Sequence, residues 1–314
     1  HSGPAQKTFR FLRQHRAIWQ ADPAKRADAI ARRCLKIIPL SLRLHKHPCF
    51  FHRRVLHSGR TVQKSQRKAD RCAMTYFWET VDTIAPGLGW PHFGPFHLAV
   101  LAVFLLLGAV LCRSYCGMDT DKRRRWRRTV ALLLIADELF KDFGLLYGGN
   151  FSLDYLPLHL CSINIFLIAL HAWRRPKLLD TFLYFVCLPA ACAALLFPTW
   201  APLPPLNFMV IHSFTVHFLL ALYPLALTLC GDMDPQPRAF PRCFALLAAM
   251  AVPIWFFDRA FDTNFMFLMR AGEGNPLKLF ERFGSHLLGY PVLLAVVFAV
   301  MYLLLRVLRR RTAE

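Results

Sequence analysis

Seven runs of mostly apolar residues constrain this chain more than any other feature. They lie at 94–112, 129–147, 155–173, 178–198, 206–229, 240–258 and 286–307. A stretch of about 20 apolar residues is what an α-helix needs to cross a bilayer. Lipid offers no water to a bare backbone, so these runs read as helices and not strands. Composition agrees: 55% of the 314 residues are hydrophobic and the mean hydropathy is +0.34. The expected fold class is all-α, a polytopic transmembrane bundle of about seven spans. The weakest runs are 129–147, which carries charges, and 240–258, which Pro253 interrupts.

Loop charge sets the expected orientation. RSYCGMDTDKRRRWRR (113–128) has seven basic residues against two acidic and reads as cytoplasmic. WRRPKLLD (173–180) and the C-terminal RVLRRRTAE also read as inside. YGGNFSLDY (147–155) has no basic residue, FPTWAPLPPLNF (197–208) has no charge, and both read as outside. The 231–242 loop is mixed. The alternation puts the N-terminus out and the C-terminus in, with a bacterial inner membrane as the expected location.

Residues 1–73 stand apart. They hold 18 Lys and Arg against 3 Asp, a net charge of +15, while the remainder carries +5. Their longest apolar stretch, CLKIIPLSL (34–42), is too short and too late for a signal peptide's core. Three readings fit: an arm for nucleic acid or anionic lipid, a disordered basic tail, or upstream sequence translated ahead of a true start at Met74. The last is preferred, because an outside N-terminus would carry the basic arm across the membrane against the charge rule. Residues 74–314 then form a single transmembrane domain, and no nucleic-acid partner is expected. His45 and His47 lack a partnered cluster and read as incidental.

The ten cysteines include no CxxC, and Cys112 and Cys116, four apart, have no second pair to complete a metal site. Cys112, Cys187, Cys192 and Cys230 sit in or at the ends of apolar runs and read as small packing residues. No metal or other cofactor is expected.

Ionisable groups inside a membrane are costly, which makes them functional candidates. Counting 1.5 Å per residue from the outer ends, His159 and Cys161 fall about 6 and 9 Å deep, and His212 and His217 about 9 and 16 Å. Asp142 and Glu138 fall about 7 and 13 Å deep on the same scale. His97 and His286 start the first and last spans near that level. The outer half thus collects histidines and acids from five spans, and the inner half is expected to hold almost none. In ADELFKDFG (136–144), Asp137, Glu138, Lys141 and Asp142 share one face of a helix. Two readings stay open for them. One is an ion-pair cluster that fixes packing, with Asp137–Lys141 as an i,i+4 pair. The other is the charged wall of a polar cavity in which Glu138 or Asp142 orients a histidine.

His159 and Cys161 are two apart, about 200° around a helix, and do not form a dyad with each other. Cys161 shares a face with Asn164, and His159 with Ser162. A nucleophilic Cys161 would take its base from another helix. His212, at matching depth, is the natural candidate, whereas His217 points about 140° away from it. The alternative is a packing thiol with anchoring histidines.

LPLHLCSINIFL (156–167), FGPFHL (93–98), ELFKDFG (138–144) and DTNFMFL (262–268) together resemble the YwaF family of bacterial integral membrane proteins, which is similar to the eukaryotic transmembrane protein 164 family. The resemblance covers roughly 77–307 and implies a multi-pass phospholipid acyltransferase that uses a membrane Cys and His. It places His159 on the family histidine. The family cysteine directly precedes that histidine, where this chain has Leu158, so Cys161 stands in shifted register.

Two functions of different class follow. In the first, a membrane-embedded lipid acyltransferase or hydrolase uses Cys161 as nucleophile and His212 or His159 as base and acid. Asn164 or Asn264 polarises the ester carbonyl. Glu138, Asp142 and His217 line or support the site, and membrane lipids, a phospholipid or a lysophospholipid, are the partners. AGEGNP (271–276) then reads as part of a lid. In the second, a non-enzymatic transporter or ligand sensor uses the same acids and histidines to bind a polar ligand or relay protons. A retinal-type receptor is disfavoured, since 286–307 contains no lysine.

Overall fold

The computed structural model describes residues 76–84, 87–271 and 276–311. The 1–73 arm, the Met74 start and residues 272–275 of the expected lid lie outside the described residues. The helices are α1 Pro95–Cys116, α2 Thr120–Tyr147, α3 Leu160–Arg174, α4 Lys177–Phe182, α5 Leu188–Leu196, α6 Phe208–Leu229, α7 Phe240–Phe261 and α8 Gly289–Arg311. A single π turn, Leu183–Cys187, joins α4 to α5 and makes Lys177–Leu196 one continuous segment. Five segments are long and apolar enough to cross a membrane: Pro95–Cys116, Lys177–Leu196, Phe208–Leu229, Pro237–Phe261 and His286–Arg309. The chain is all-α and has the make-up of a multi-pass membrane protein.

Local chemistry explains where the helices depart from the apolar runs. Asp119 caps α2 by accepting the Lys122 N–H at 2.8 Å, so most of the basic 113–128 segment is helix and not loop. Pro253 lies inside α7 without ending it. At the other extreme, the run beginning at Tyr155 does not start as an α-helix. Pro157 forces the residue before it out of the helical region, and Leu156 is extended at φ −58°, ψ 150°. Helix α3 begins only at Leu160, with His159 as its N-cap residue. His159 therefore sits at the mouth of the helix and not one turn inside it.

Helix α6 is the hub. It is buried along most of its length and packs against α1, α2, α3 and α5. The α2–α6 seam is close: a Cβ on Gly144 would stand 2.5 Å from the Phe208 ring. Helices α1, α7 and α8 instead leave wide apolar faces exposed, as on Leu105, Phe256 and Leu303, which is how a lipid-facing span looks.

The bundle has two polar ends. At one, Trp78 packs on Phe208 and Phe140, and Asn207 Nδ2 donates to the carbonyls of Tyr76 and Glu79 at 2.8 Å each. At the other, Asp232 gathers three elements. Its carboxylate accepts from Tyr115 Oη, from Arg127 at 2.6 Å and from Arg175 at 3.1 Å. Burial opposes the Asp232 charge, but the Tyr115 hydrogen bond and the two guanidinium groups outweigh it and hold the carboxyl below the usual carboxylate range.

The Asp232 end overturns two expectations. It is not poor in ionisable groups: the fully buried His171 bridges Tyr223 Oη and Asp180 Oδ1, both at 2.8 Å. His171 and Asp180 lie at the very end and very start of the adjoining runs 155–173 and 178–198, and only the packing of α6 brings Tyr223 to them. Cys230 is also no packing residue, since it is disulfide-bonded to Cys116. That pairing joins positions 114 apart in sequence, a proximity that local spacing cannot reveal.

Candidate functional site at the Trp78 end

Helices α2, α3 and α6 pack together, and the acid–lysine face of α2 meets the first turns of α3 and α6. Glu138 and Lys141 are both buried, and Lys141 Nζ lies 2.6 Å from Glu138 Oε1. Ser162 Oγ donates to the same oxygen at 3.1 Å. Lys141 also reaches Asp142 at 3.3 Å and donates to the Tyr155 carbonyl at 3.2 Å. The expected Asp137–Lys141 pair therefore gives way to a three-residue one, and Asp137 turns to His212. The Nδ1 of His212 lies 3.2 Å from both the backbone carbonyl and Oδ2 of Asp137. Its Nε2 faces Glu138 Oε2 at 3.8 Å. The result is a chain Asp137–His212–Glu138–Lys141, with Ser162 attached at Glu138.

Several polar atoms here are buried without a hydrogen-bond partner: Glu138 Oε2, Asp137 Oδ2 and the Asn164 amide oxygen. The two carboxylate oxygens have the His212 ring nitrogens as neighbours, at 3.2 and 3.8 Å, which leaves the Asn164 oxygen as the acceptor in want of a donor. The N-terminus of α3 is open in the opposite sense. His159 makes no side-chain cap, and no described residue accepts from the N–H groups of Leu160 or Cys161, while the Ser162 N–H faces the Cys161 sulfur. The half-buried Cys161 carries a free thiol on this turn. Among the described residues no hydrogen bond joins that thiol to an imidazole, and none groups three His, Cys, Asp or Glu for a metal ion.

His159 Nδ1 accepts the Met266 N–H at 3.3 Å, and its ring lies 5.0 Å from that of Phe265. The LPLHLC and TNFMFL motifs are thus one contact. His217 Nδ1 donates to the Ser213 carbonyl at 2.6 Å, one turn back on its own helix. Asn264 works within its loop: its oxygen accepts from the N–H groups of Met269 and Arg270, and its Nδ2 donates to the Arg270 carbonyl. Asp142 is the most exposed of Asp137, Glu138 and Asp142, with 34% of its side chain accessible. His97 accepts from the Phe93 N–H and donates to the Leu195 carbonyl, which pins the start of α1 to the end of α5.

One buried acid was not singled out in the sequence. Asp258 accepts from Thr263 Oγ1 at 2.6 Å and from the Phe265 N–H at 3.0 Å. It anchors a segment in which Met266 and Phe267 adopt positive φ, 52° and 56°, a conformation that costs a side-chain-bearing residue energy. His286 Nε2 and Tyr290 Oη hold the same segment by donating to the Phe267 and Met266 carbonyls. The available signal was an acid at the very end of an apolar run, five residues before a threonine.

Between the polar ends lies an apolar layer that includes Ile165 and Ile168 of α3 and Leu219 and Leu220 of α6, all buried. The polar path is therefore interrupted in the middle of the bundle.

Fold and site together define an α-helical multi-pass membrane protein with a buried charged cluster at one end. The TMEM164 family model matches residues 92–302, which contain every element from α1 into α8, and the chain belongs to that family. No curated protein and no solved structure matches the chain.

Proposed function

We propose that this protein is a membrane-embedded acyl-transfer enzyme acting on phospholipids, with its site where α2, α3 and α6 meet. One observation carries the reading: a free thiol shares the uncapped first turn of α3 with the open N–H groups of Leu160 and Cys161, and Ser162 on that turn bonds Glu138, which faces His212. Cys161 gives up its proton to the His212–Glu138 pair, and its sulfur attacks an ester carbonyl carbon. The first-turn N–H groups, with Asn164 near them, meet the developing oxyanion. The C–O bond to the glycerol breaks, and the leaving alkoxide takes the proton. A lysolipid hydroxyl, or water, then attacks the thioester and restores the thiol. Asp137 holds His212 through Nδ1, and Lys141 balances the acids. His159 and Asn264 serve by positioning the 262–268 segment over the site.

In this reading the chain crosses the membrane seven times, N-terminus out and C-terminus in, with α2 and α3 as two further spans. The site then faces the outer leaflet of a bacterial inner membrane, in keeping with the YwaF likeness. A second reading, a non-enzymatic ligand sensor, draws on the absence of a hydrogen bond between Cys161 and any imidazole. Transport is the weaker form of it, because the apolar layer closes the polar path.

The test is lipid mass spectrometry on the full chain in phospholipid vesicles with an added lysolipid of distinct headgroup. Acyl chains moving onto that lysolipid, abolished in Cys161→Ala and His212→Ala, are the expected result. Transfer that survives Cys161→Ala would remove the thiol from the reaction. Unchanged lipids with the wild-type chain would favour the sensor.

A further inference from the structure

At the Asp232 end, a cleft of about 600 Å³ opens between the 236–238 turn and the last turns of α8. Gln236, Arg238, Tyr302, Leu305, Arg306 and Arg309 line it. We propose that this cleft binds the phosphate of an anionic phospholipid in the leaflet at the Asp232 end.

Three guanidinium groups around one cleft make a phosphate the fitting ligand, since each offers a planar fork of donors to its oxygens. Arg309 is held in place by Asp234 at 2.7 Å and by the Pro235 carbonyl at 2.8 Å. Arg306 lies over the Tyr302 ring, 5.8 Å from its centre. Neither Arg238 nor Arg306 has a carboxylate partner among the described residues, and both are exposed. Asp234 pairs with Arg309, and Arg238 and Arg306 add two exposed positive charges to the cleft.

The walls decide between a soluble phosphate and a lipid. Leu303, Leu304 and Val307 are exposed on α8 beside the arginines, and Tyr302 and Leu305 line the cleft itself. An inorganic phosphate has no use for that surface. A glycerophospholipid does, because its chains lie along an apolar helix while its phosphate meets the basic residues at the span's end. The inference needs α7 and α8 to span a membrane, but it does not depend on the proposed catalysis.

The experiment is native mass spectrometry of the full chain in mild detergent, with phosphatidylglycerol or phosphatidylcholine of identical chains. We expect phosphatidylglycerol to be retained about tenfold more than phosphatidylcholine, and Arg238→Gln/Arg306→Gln to abolish the difference. Arg306→Gln alone carries the test if the double variant does not fold. Arg124→Gln/Arg125→Gln removes equal charge from α2 and should leave retention unchanged. Equal retention by the cleft variants, or equal loss in the α2 variant, would overturn the proposal. Displacement of the lipid by millimolar inorganic phosphate would also overturn it, in favour of a soluble phosphate ligand.

Discussion

Glu138 divides its two oxygens between two tasks. One holds Lys141 and Ser162, and the other faces His212. Removing it leaves the buried Lys141 ammonium only the more distant Asp142 and the Tyr155 carbonyl, so Glu138→Ala should cost about 3 kcal/mol, read as a lower unfolding temperature in detergent. Asp142→Asn touches the same lysine from a side chain that is 34% accessible, so it should stay within about 1 kcal/mol of wild type. A comparable loss in both variants would mean that the cluster is solvated and not buried. At this scale the sequence showed which polar residues lie inside the bundle, but not how they pair. The shared face of Asp137, Glu138, Lys141 and Asp142 follows from helical periodicity. That Lys141 takes Glu138 and leaves Asp137 to His212 depends on how α6 packs on α2, which periodicity does not encode.

The element that most changes the sequence picture is the 262–268 segment. Its positive-φ residues are held by Asp258, His159, His286 and Tyr290, four side chains from three separate parts of the chain. Asp258→Ala should release it, and limited proteolysis should then cut between α7 and α8 several-fold faster while the helices stay folded. An unchanged cleavage rate would show that the other three contacts suffice. At the Asp232 end, the Tyr115–Arg127–Arg175 network holds the Asp232 carboxyl below its ordinary range. A carboxyl depressed on folding stabilises the fold above its unfolded pKa, about 4, and the benefit is lost as pH falls through the folded value. The wild-type unfolding temperature should therefore drop below about pH 4, and Asp232→Asn should flatten that part of the profile while lowering the plateau above it. Parallel profiles would contradict the assignment. The helices themselves were legible to within a few residues, except where Pro157 delays α3 and Asp119 advances α2. Both exceptions are local rules that an apolar-run count passes over.

On the scale of the whole molecule, α6 is packed by α1, α2, α3 and α5, the wide exposed apolar faces lie on α1, α7 and α8, and an apolar layer separates two polar ends. The proposed orientation puts the thiol site on one side of the membrane and the arginine cleft on the other. It also puts the Cys116–Cys230 disulfide on the cytoplasmic side, where disulfides are uncommon, so loop charge and cysteine chemistry pull in opposite directions. Neither the disulfide nor the His171–Asp180–Tyr223 chain was legible, because each joins residues that only the folded bundle brings together. In the proposed reaction the thiol on the first turn of α3 accepts an acyl group under the control of the helix α6 histidine. Its most direct test is peptide mass spectrometry of the full chain after incubation with phospholipid vesicles. We expect a hydroxylamine-labile acyl group on Cys161 that is absent in His212→Ala. An unmodified Cys161 in a protein that has turned over its lipid, or an adduct undiminished in His212→Ala, would contradict it.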